Sequence, residues 1–356
     1  MSGAVPAVLA IDGGNSKSDL ALVTADGTLL ASARGPGTAG AVNLPETLDL
    51  VATLIGQAQR QAGLRGSPAA RHLSACLANA DLPEEEAELA AALRAQGWSE
   101  TTEVANDTFA VLRAGLVTGV PDGPSPAPGP TPADGTTAAG GSRRHWGVAV
   151  TCGAGINCVG VAPDGRKTGF LALGGITGDW GGGYGLGSAA LWWAIRAEDG
   201  RGTPTGLREA VAAHFGAESV TAVAIGIHLG TIPGEALAEL APVVLAVAGA
   251  GDAVAADLVR RQAEEICAMA LTVMRRLGLT GAATPVVLGG GLLAARDPLL
   301  TAGVTEGIRA GAPRAAVRIT DVPPVAGAAL LGLDYLGAGP EAERRLRAAY
   351  AERIQS

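Results

Sequence analysis

Short apolar runs alternate along the chain with longer segments whose apolar residues recur at helical spacing. The runs predict strands at 8–12, 19–24, 28–33, 72–77, 103–105, 146–151, 156–161, 285–288 and 318–321. The periodic segments predict helices at 48–63, 82–96, 108–115, 186–198, 207–214, 235–248, 252–277, 326–335 and 341–354. This alternation of strands and helices is typical of an α/β fold.

A weak internal repeat relates the start of the chain to its middle. VLAIDGGNSKSDLALVTADG (8–27) and GVAVTCGAGINCVGVAPDG (147–165) share a strand, a glycine turn, a second strand and an Asp-Gly hairpin turn. The repeat predicts two similar α/β domains, 1–118 and 145–339, with a C-terminal helix at 340–356 that packs back on the first. Between the two domains, 119–144 is rich in proline and glycine and predicts a flexible loop.

Composition and charge disfavour some classes of binding partner and indicate a cellular compartment. The 356 residues carry a formal net charge of −8 without a basic run, which disfavours nucleic acid and anionic membrane surfaces as partners. Two uncharged stretches, 145–163 and 277–295, are interrupted by Gly and Pro, so we expect buried strands and loops there, not membrane helices. No export signal is visible near the N-terminus, and the four cysteines form no CxxC pair, so we expect a cytoplasmic protein with reduced thiols.

The first glycine turn follows a strand that ends in an acid. Asp12, Gly13 and Gly14 lead into a second strand, whereas the glycine turns of dinucleotide-binding and P-loop folds lead into a helix. Successive backbone N–H groups in such a turn can still cradle a phosphate, with the Ser16 hydroxyl and the Lys17 ammonium beside them. Asp12 could hold Mg²⁺ through waters. Taken alone, the same residues are also typical of a plain β-turn.

Five motifs follow one another across most of the chain. They are DGGNSKS (12–18), ND (106–107), GAGIN (153–157), GGITGD (174–179) and VVLGGG (286–291). In this combination the chain resembles the actin/hexokinase-like ATPase superfamily, and within it the N-acetylglucosamine kinases and the BadF/BadG/BcrA/BcrD-type ATPases. The resemblance implies two RNase H-like domains with a central cleft for ATP, Mg²⁺ and a small-molecule sugar, and it implies a homodimer.

The resemblance also assigns roles to individual positions. ATP and Mg²⁺ would be bound by Asp12, Gly13, Gly14, Asn15, Ser16, Lys17, Gly153, Ala154, Gly155, Gly289, Gly290 and Gly291, with Asp12 as the metal ligand. The sugar would be bound by Asn43, Asn106, Asp107, Ile156, Asn157, Gly175 and Asp179. Asp107 matches the base that takes the proton of the sugar 6-hydroxyl. Three of these residues have ordinary structural alternatives: Asp107 as a helix N-cap, Asp179 as a turn residue and Asn43 as a loop residue.

Two segments depart from the family pattern and leave alternatives open. The second phosphate loop usually reads GTGS and here reads GAGI (153–156), and the family's acid after Asp179 is Trp180 here. The sugar therefore stays open, with N-acetylglucosamine ahead of glucosamine, N-acetylmuramic acid and N-acetylmannosamine. One alternative function is an ATPase that activates a radical dehydratase or reductase through an iron–sulfur cluster, for which Cys152 and Cys158 are poorly placed. The other is a non-catalytic sugar sensor.

Overall fold

The structure is a computed structural model that describes residues 6–37, 44–64, 69–116 and 145–355. Its strands are β1 (Val8–Gly13), β2 (Lys17–Val23), β3 (Leu29–Pro36), β4 (Ala70–Leu77), β5 (Ser99–Asn106), β6 (Gly147–Cys152), β7 (Ile156–Val161), β8 (Lys167–Gly169), β9 (Pro285–Gly289) and β10 (Ala316–Ile319). The predicted loop at 119–144 and the predicted sugar ligand Asn43 lie outside the described residues.

The helices follow the strands in an α/β order. They are α1 (Leu44–Gln61), α2 (Pro83–Ala95), α3 (Asp107–Gly115), α4 (Gly182–Glu198), α5 (Leu207–His214), α6 (Val220–His228), α7 (Ala241–Gly249), α8 (Ala253–Leu277), α9 (Gly291–Ala294), α10 (Pro298–Gly311), α11 (Pro324–Tyr335) and α12 (Pro340–Gln355). Two short 3₁₀ helices, Gly174–Ile176 and Gly234–Leu240, complete the regular structure of the described ranges.

The strands form two five-stranded sheets with the orders β3-β2-β1-β4-β5 and β10-β9-β6-β7-β8. In the first sheet, β1 pairs antiparallel with β2 and parallel with β4, and β4 pairs parallel with β5. In the second sheet, β9 and β10 are parallel, whereas β7 and β8 are an antiparallel hairpin that turns at Asp164-Gly165, as predicted.

Alternate residues of β1 contribute to two separate cores. Leu9 and Ile11 pack in a cluster with residues of α1 and α2, whereas Val8 and Ala10 pack with residues of α11 and α12. Helices therefore cover both faces of the first sheet, which is why β1 reads as a continuous apolar run and not as an alternating one.

The structure corrects the predicted elements in a few places. The single helix expected at 235–248 is a 3₁₀ helix followed by α7, because Pro242 lies in the first turn of α7 and cannot continue a preceding helix. The strand β8 and the helices α6, α9 and α10 were not predicted. Ser219 caps α6 and Asp297 caps α10, and each side chain accepts a hydrogen bond from the first turn, so a capping signal was present in the sequence.

The chain divides into two compact units. One comprises Met1–Ala149, Val159–Leu171 and Thr320–Ser356, and the other comprises Val150–Cys158 and Ala172–Ile319. Residues 320–339 thus belong with the first unit, whereas the boundary drawn from the sequence places them in the second domain. Within the described ranges no single helix is long and apolar enough to cross a membrane, and one sharply bent pair, Gly234–Gly249 with Ala253–Leu277, meets that test by length and composition.

Candidate functional site

Three parallel strands of the first unit end at one edge of their sheet. Gly13 at the end of β1 is in register with Leu77 of β4, and Leu77 is in register with Asn106 of β5. Asp12 and Asp107, which are far apart in the sequence, therefore lie at the same carboxyl edge with β4 between them. Neighbouring strands are about 4.8 Å apart, so the two acids are placed to serve one small site.

A row of polar side chains crosses this sheet beside Asp12. Asp12 pairs with Asp19 of β2 and with Cys76 of β4, and Asp19 pairs with Arg34 of β3. The Arg34 guanidinium donates to both Asp19 oxygens, with Nε–Oδ1 of 2.6 Å and Nη2–Oδ2 of 3.0 Å, and Lys17 Nζ is 3.8 Å from Asp19 Oδ2. Asp19 is thereby neutralised within the protein. Asp12 has no corresponding ion pair among the described residues.

Burial and like charge make Asp12 an unfavourable place for a bare carboxylate. The side chain is buried, and burial together with the charges of Asp107 and Asp19 raises the pKa of Asp12 to about 8. Burial also raises the pKa of Asp107 to about 6, against hydrogen bonds from Thr108. An added cation would relieve this repulsion.

The carboxylate of Asp12 fits a Mg²⁺ ion whose other ligands are mostly oxygens of water and of substrate phosphates. Within the described part of the chain, no group of three His, Cys, Asp or Glu side chains is arranged to hold a metal ion. Mg²⁺ is commonly held by one or two carboxylates, with waters and substrate phosphates completing its shell. The buried, unpaired Asp12 carboxylate is consistent with that mode of binding.

The first glycine turn is shaped by close backbone contacts. Gly14 N–H donates to the Lys17 carbonyl at 2.9 Å, which closes the turn between β1 and β2. A Cβ on Gly13 would lie 2.6 Å from a Leu77 methyl group, and a Cβ on Gly37 would lie 2.2 Å from the carbonyl oxygen of Asn15. A side chain at Gly37 would displace the backbone of the turn, whereas at Gly13 the Leu77 side chain would have to move. Gly37 therefore belongs to this site although no sequence motif marked it.

Asn106, and not Asp107, is the N-cap of α3. Asn106 Oδ1 accepts from Thr108 N–H at 2.9 Å, and Asn106 Nδ2 donates to Asp81 Oδ1 at 2.8 Å. The alternative that Asp107 merely caps the helix is therefore wrong. Asp107 occupies the first helical position, where its carboxylate accepts a long 3.3 Å bond from the Thr108 hydroxyl and a bond from the Thr108 backbone N–H. Both of these partners belong to the next residue of the same helix.

The second glycine turn, in the other unit, rests on the start of α4. Gly153, Ala154 and Gly155 connect β6 to β7, and the carbonyls of Gly153 and Ala154 accept from the N–H groups of Gly183 and Tyr184 at 2.7 and 2.9 Å. No heavy atom lies within 4 Å of a Cβ built on Gly153 or Gly155. The outer side of the turn is therefore open, as an anion-binding turn requires.

Two further glycines close the inner side of this turn. A Cβ on Gly182 would lie 2.5 Å from the Gly155 backbone, and a Cβ on Gly290 would lie 2.4 Å from the Cys152 carbonyl oxygen. Gly290 follows Gly289, the last residue of β9, and precedes Gly291, the first of α9. The second unit thus brings together the predicted segments 153–155 and 289–291, and adds Gly182, which the motifs missed.

The remaining predicted sugar ligands of this unit lie in separate elements. Ile156 is buried in β7, and Asn157 Oδ1 accepts from the backbone N–H of the next residue at 2.7 Å. Gly175 lies in a 3₁₀ helix, and Asp179 Oδ2 accepts from Thr177 Oγ1 at 2.5 Å. These local bonds suit the turn interpretation of Asp179, and a sugar-binding role for it stays a prediction.

The four cysteines are buried free thiols, as expected for reduced cysteines that form no CxxC pair. Burial raises the pKa of Cys152 to about 12 and holds the pKa of Cys158 still further above its usual range. Iron–sulfur ligands must be presented as thiolates. The described residues therefore do not favour the activator alternative.

Comparison with known proteins agrees with these observations. The model of the BadF/BadG/BcrA/BcrD ATPase family matches residues 132–332. An N-acetylmuramic acid/N-acetylglucosamine kinase from Clostridium acetobutylicum is 24% identical over 289 residues, which cover 80% of this chain and 85% of that protein.

Solved structures share the fold. A candidate N-acetylglucosamine kinase from Chromobacterium violaceum superposes with a TM-score of 0.67 at 25% identity, covering 93% of this chain and 99% of that one. A ROK family glucokinase from Streptomyces griseus, solved with glucose and AMPPNP, gives a TM-score of 0.55 at 16% identity, over 92% and 98%. The predicted actin-like ATPase fold is confirmed. Because the family model spans more than half of the chain, the protein belongs to the BadF/BadG/BcrA/BcrD ATPase family.

Proposed function

We propose that this protein is an ATP-dependent kinase that phosphorylates the 6-hydroxyl of an amino sugar, with N-acetylglucosamine as the leading substrate. One observation carries the proposal. Asp12 and Asp107 share the carboxyl edge of β1, β4 and β5, and neither is used in an ion pair within the described residues. The names of the relatives, a kinase of two N-acetylated amino sugars and a candidate N-acetylglucosamine kinase, support the substrate class.

Asp107 is suited to act as the base. As the sugar oxygen forms its bond to the γ-phosphorus, the hydroxyl proton passes to Asp107. The bond between the γ-phosphorus and the β,γ-bridging oxygen breaks, and ADP leaves with that electron pair. A pKa of about 6 leaves Asp107 ionised at neutral pH, and makes it a stronger base than an exposed aspartate. The cap on Asn106 fixes the first turn of α3 and therefore the position of Asp107.

The glycine turns would hold the nucleotide. Asp12 would hold Mg²⁺ through water, and bound Mg²⁺ would supply charge neutralisation for the phosphates. Ser16 and Lys17, exposed at the first turn, offer a hydroxyl and an ammonium to phosphate oxygens. In the second unit, the open turn 153–155 offers backbone N–H groups alone, because its sequence lacks the usual hydroxyls.

The test is ADP release from Mg-ATP with a panel of amino sugars, a sugar-free blank and 6-deoxy-N-acetylglucosamine, which has no acceptor hydroxyl. We expect release that requires one sugar and fails with the 6-deoxy analogue. Asp107→Asn should lower kcat by about 10² or more, while binding of sugar and ATP by calorimetry persists. Asp49→Asn, an exposed position of α1, is the matched control and should retain wild-type kcat.

Two outcomes would overturn the proposal. Release that is the same with and without every sugar would indicate the activator class of ATPase. Sugar binding without any release would indicate the sensor. Product analysis by ³¹P NMR settles the position of the phosphoryl group, and a phosphate on an oxygen other than the 6-oxygen would refute that part alone.

A further inference from the structure

Two acids at the start of α2 hold Asn106, the residue that caps α3. Asp81 lies in the connection between β4 and α2, and its Oδ1 atom accepts from Asn106 Nδ2 at 2.8 Å. The Glu86 carboxylate, in the first turn of α2, accepts from the backbone N–H of Asn106. The side chain and the main chain of the cap are therefore both anchored to a neighbouring element of the same unit.

The start of α2 does not need the Asp81 side chain. The Glu85 carboxylate accepts from the backbone N–H groups of Asp81 and Leu82 at 3.1 and 3.0 Å, in the manner of a capping box. These bonds also fix the main chain from which the Asp81 side chain reaches Asn106. Capping of its own helix therefore does not explain the acid at position 81.

A carboxylate partner decides how the Asn106 amide is oriented. Nδ2 only donates, Oδ1 only accepts, and an ionised carboxylate only accepts. With Nδ2 facing Asp81, Oδ1 faces α3 and accepts from the Thr108 N–H at 2.9 Å. In the opposite orientation, Nδ2 would face the Thr108 N–H and Oδ1 would face the carboxylate. Both hydrogen bonds would then be lost by a residue that is only 5% exposed, which is costly.

We propose that Asp81 is a positioning residue for Asp107, acting through the orientation of the Asn106 amide. The proposal rests on the kinase function proposed above, in which Asp107 takes the proton of the sugar hydroxyl. Asp107 directly follows the cap as the first residue of α3, so the cap determines the backbone from which its carboxylate reaches the sugar. A displacement of about 1 Å in a reacting group can lower the rate about 10²-fold.

The first test removes the acceptor at position 81 and then restores it. Asp81→Ala should lower kcat about tenfold or more, with KM for N-acetylglucosamine and for ATP within about threefold of wild type. Asp81→Asn keeps an oxygen that can accept from Asn106 Nδ2, so kcat should stay within about threefold of wild type. Asp297→Ala, which removes the aspartate N-cap of α10 in the second unit, is the matched control and should leave kcat within about twofold.

The second test exchanges the two groups. Asn106→Asp keeps a side chain that caps a helix well. It places a second carboxylate against that of Asp81, so we expect kcat to fall about tenfold or more. In the double variant Asp81→Asn with Asn106→Asp, the introduced amide can donate to the introduced carboxylate. Its kcat should recover about threefold or more relative to Asn106→Asp alone. A role in stability alone would not give this recovery, because kcat is counted per folded molecule.

Hydrogen exchange of the peptide that contains Thr108 reports on the cap without turnover. Its protection should fall in Asp81→Ala and persist in Asp81→Asn, and equal protection in all three proteins would refute the link between Asp81 and the cap. A wild type without sugar-dependent turnover would refute the kinase function and, with it, the catalytic role of Asp81. Where the wild type is active, a kcat for Asp81→Ala within about twofold of wild type, or no recovery in the double variant, would refute the role of Asp81 alone.

Discussion

Arg113 is the best place to test how the C-terminal helices support the candidate site. It lies in α3, and its side chain is 2% exposed. Its guanidinium donates two hydrogen bonds to Asp334 of α11, of 2.7 and 3.1 Å, and two of 2.9 Å to Glu343 of α12. Arg347 of α12 donates to Glu343 and to the carbonyls of Arg113, Ala114 and Leu116 at the end of α3. Two cations and two carboxylates thus form a balanced cluster, of which Arg113 and Glu343 are buried.

Arg113→Met removes one cation from this balance and leaves a net negative charge in a largely buried place. Removing one partner of a buried ion pair costs about 3–5 kcal/mol, and we expect a loss in that range. The size matters because a protein of this kind has about 5–15 kcal/mol of stability in total. Arg113→Lys keeps the charge but loses the planar fork that serves both carboxylates, so we expect about half the loss.

The assay is urea unfolding followed by circular dichroism, together with hydrogen exchange of peptides from α3. Exchange reports on α3 directly, so the result does not depend on the two units unfolding together. Arg344→Met is the matched control, because it also removes an arginine from an ion pair of α12, the one with Glu341, but the Arg344 side chain is 64% exposed. It should cost about 0.5 kcal/mol or less. A loss below about 1 kcal/mol for Arg113→Met, with α3 protection unchanged, would refute the reasoning.

Two more predictions concern a buried histidine and a strained glycine. His72 is fully buried against Tyr335, and burial lowers its pKa from 6.5 to about 4. Between pH 6.5 and pH 4 the unfolded chain therefore binds more protons than the folded one, so the free energy of unfolding falls as the pH falls through this range. Relative to His72→Phe, the wild type should lose about 2 kcal/mol more between pH 7 and pH 4.5 in urea unfolding, and parallel profiles would contradict this. Gly290 has φ 88°, and a Cβ added there would lie 2.4 Å from the Cys152 carbonyl oxygen, so Gly290→Ala should lower the free energy of unfolding by about 2 kcal/mol or more. Gly291→Ala is the control: nothing lies within 4 Å of its added Cβ, so its effect on the free energy of unfolding should be near zero. Equal losses for the two variants in urea unfolding would contradict this reasoning.

Local chemistry made much of the fold predictable. The runs around Asp12 and Gly153 showed strand, glycine turn and strand because apolar runs and Asp-Gly turns act over a few residues. Their recurrence predicted two similar α/β domains, and the resemblance carried by the five motifs predicted the actin-like ATPase fold that the comparisons confirm. The sequence could not separate the two roles of the ND pair at 106–107. Either residue can cap a helix, and only the backbone bond to Thr108 shows that Asn106 does.

What the sequence by itself determined, then, are most of the helices and strands, the glycine turns and the identity of the acids. The tertiary structure decided which distant residues act together. Asp12 and Asp107 meet at one edge because β1, β4 and β5 are parallel and in register. Arg113 finds its carboxylates more than two hundred residues away, and Asp81 reaches the cap of α3 from the connection before α2. Such pairings depend on long-range packing, which a local pattern of hydrophobic and polar positions does not predict.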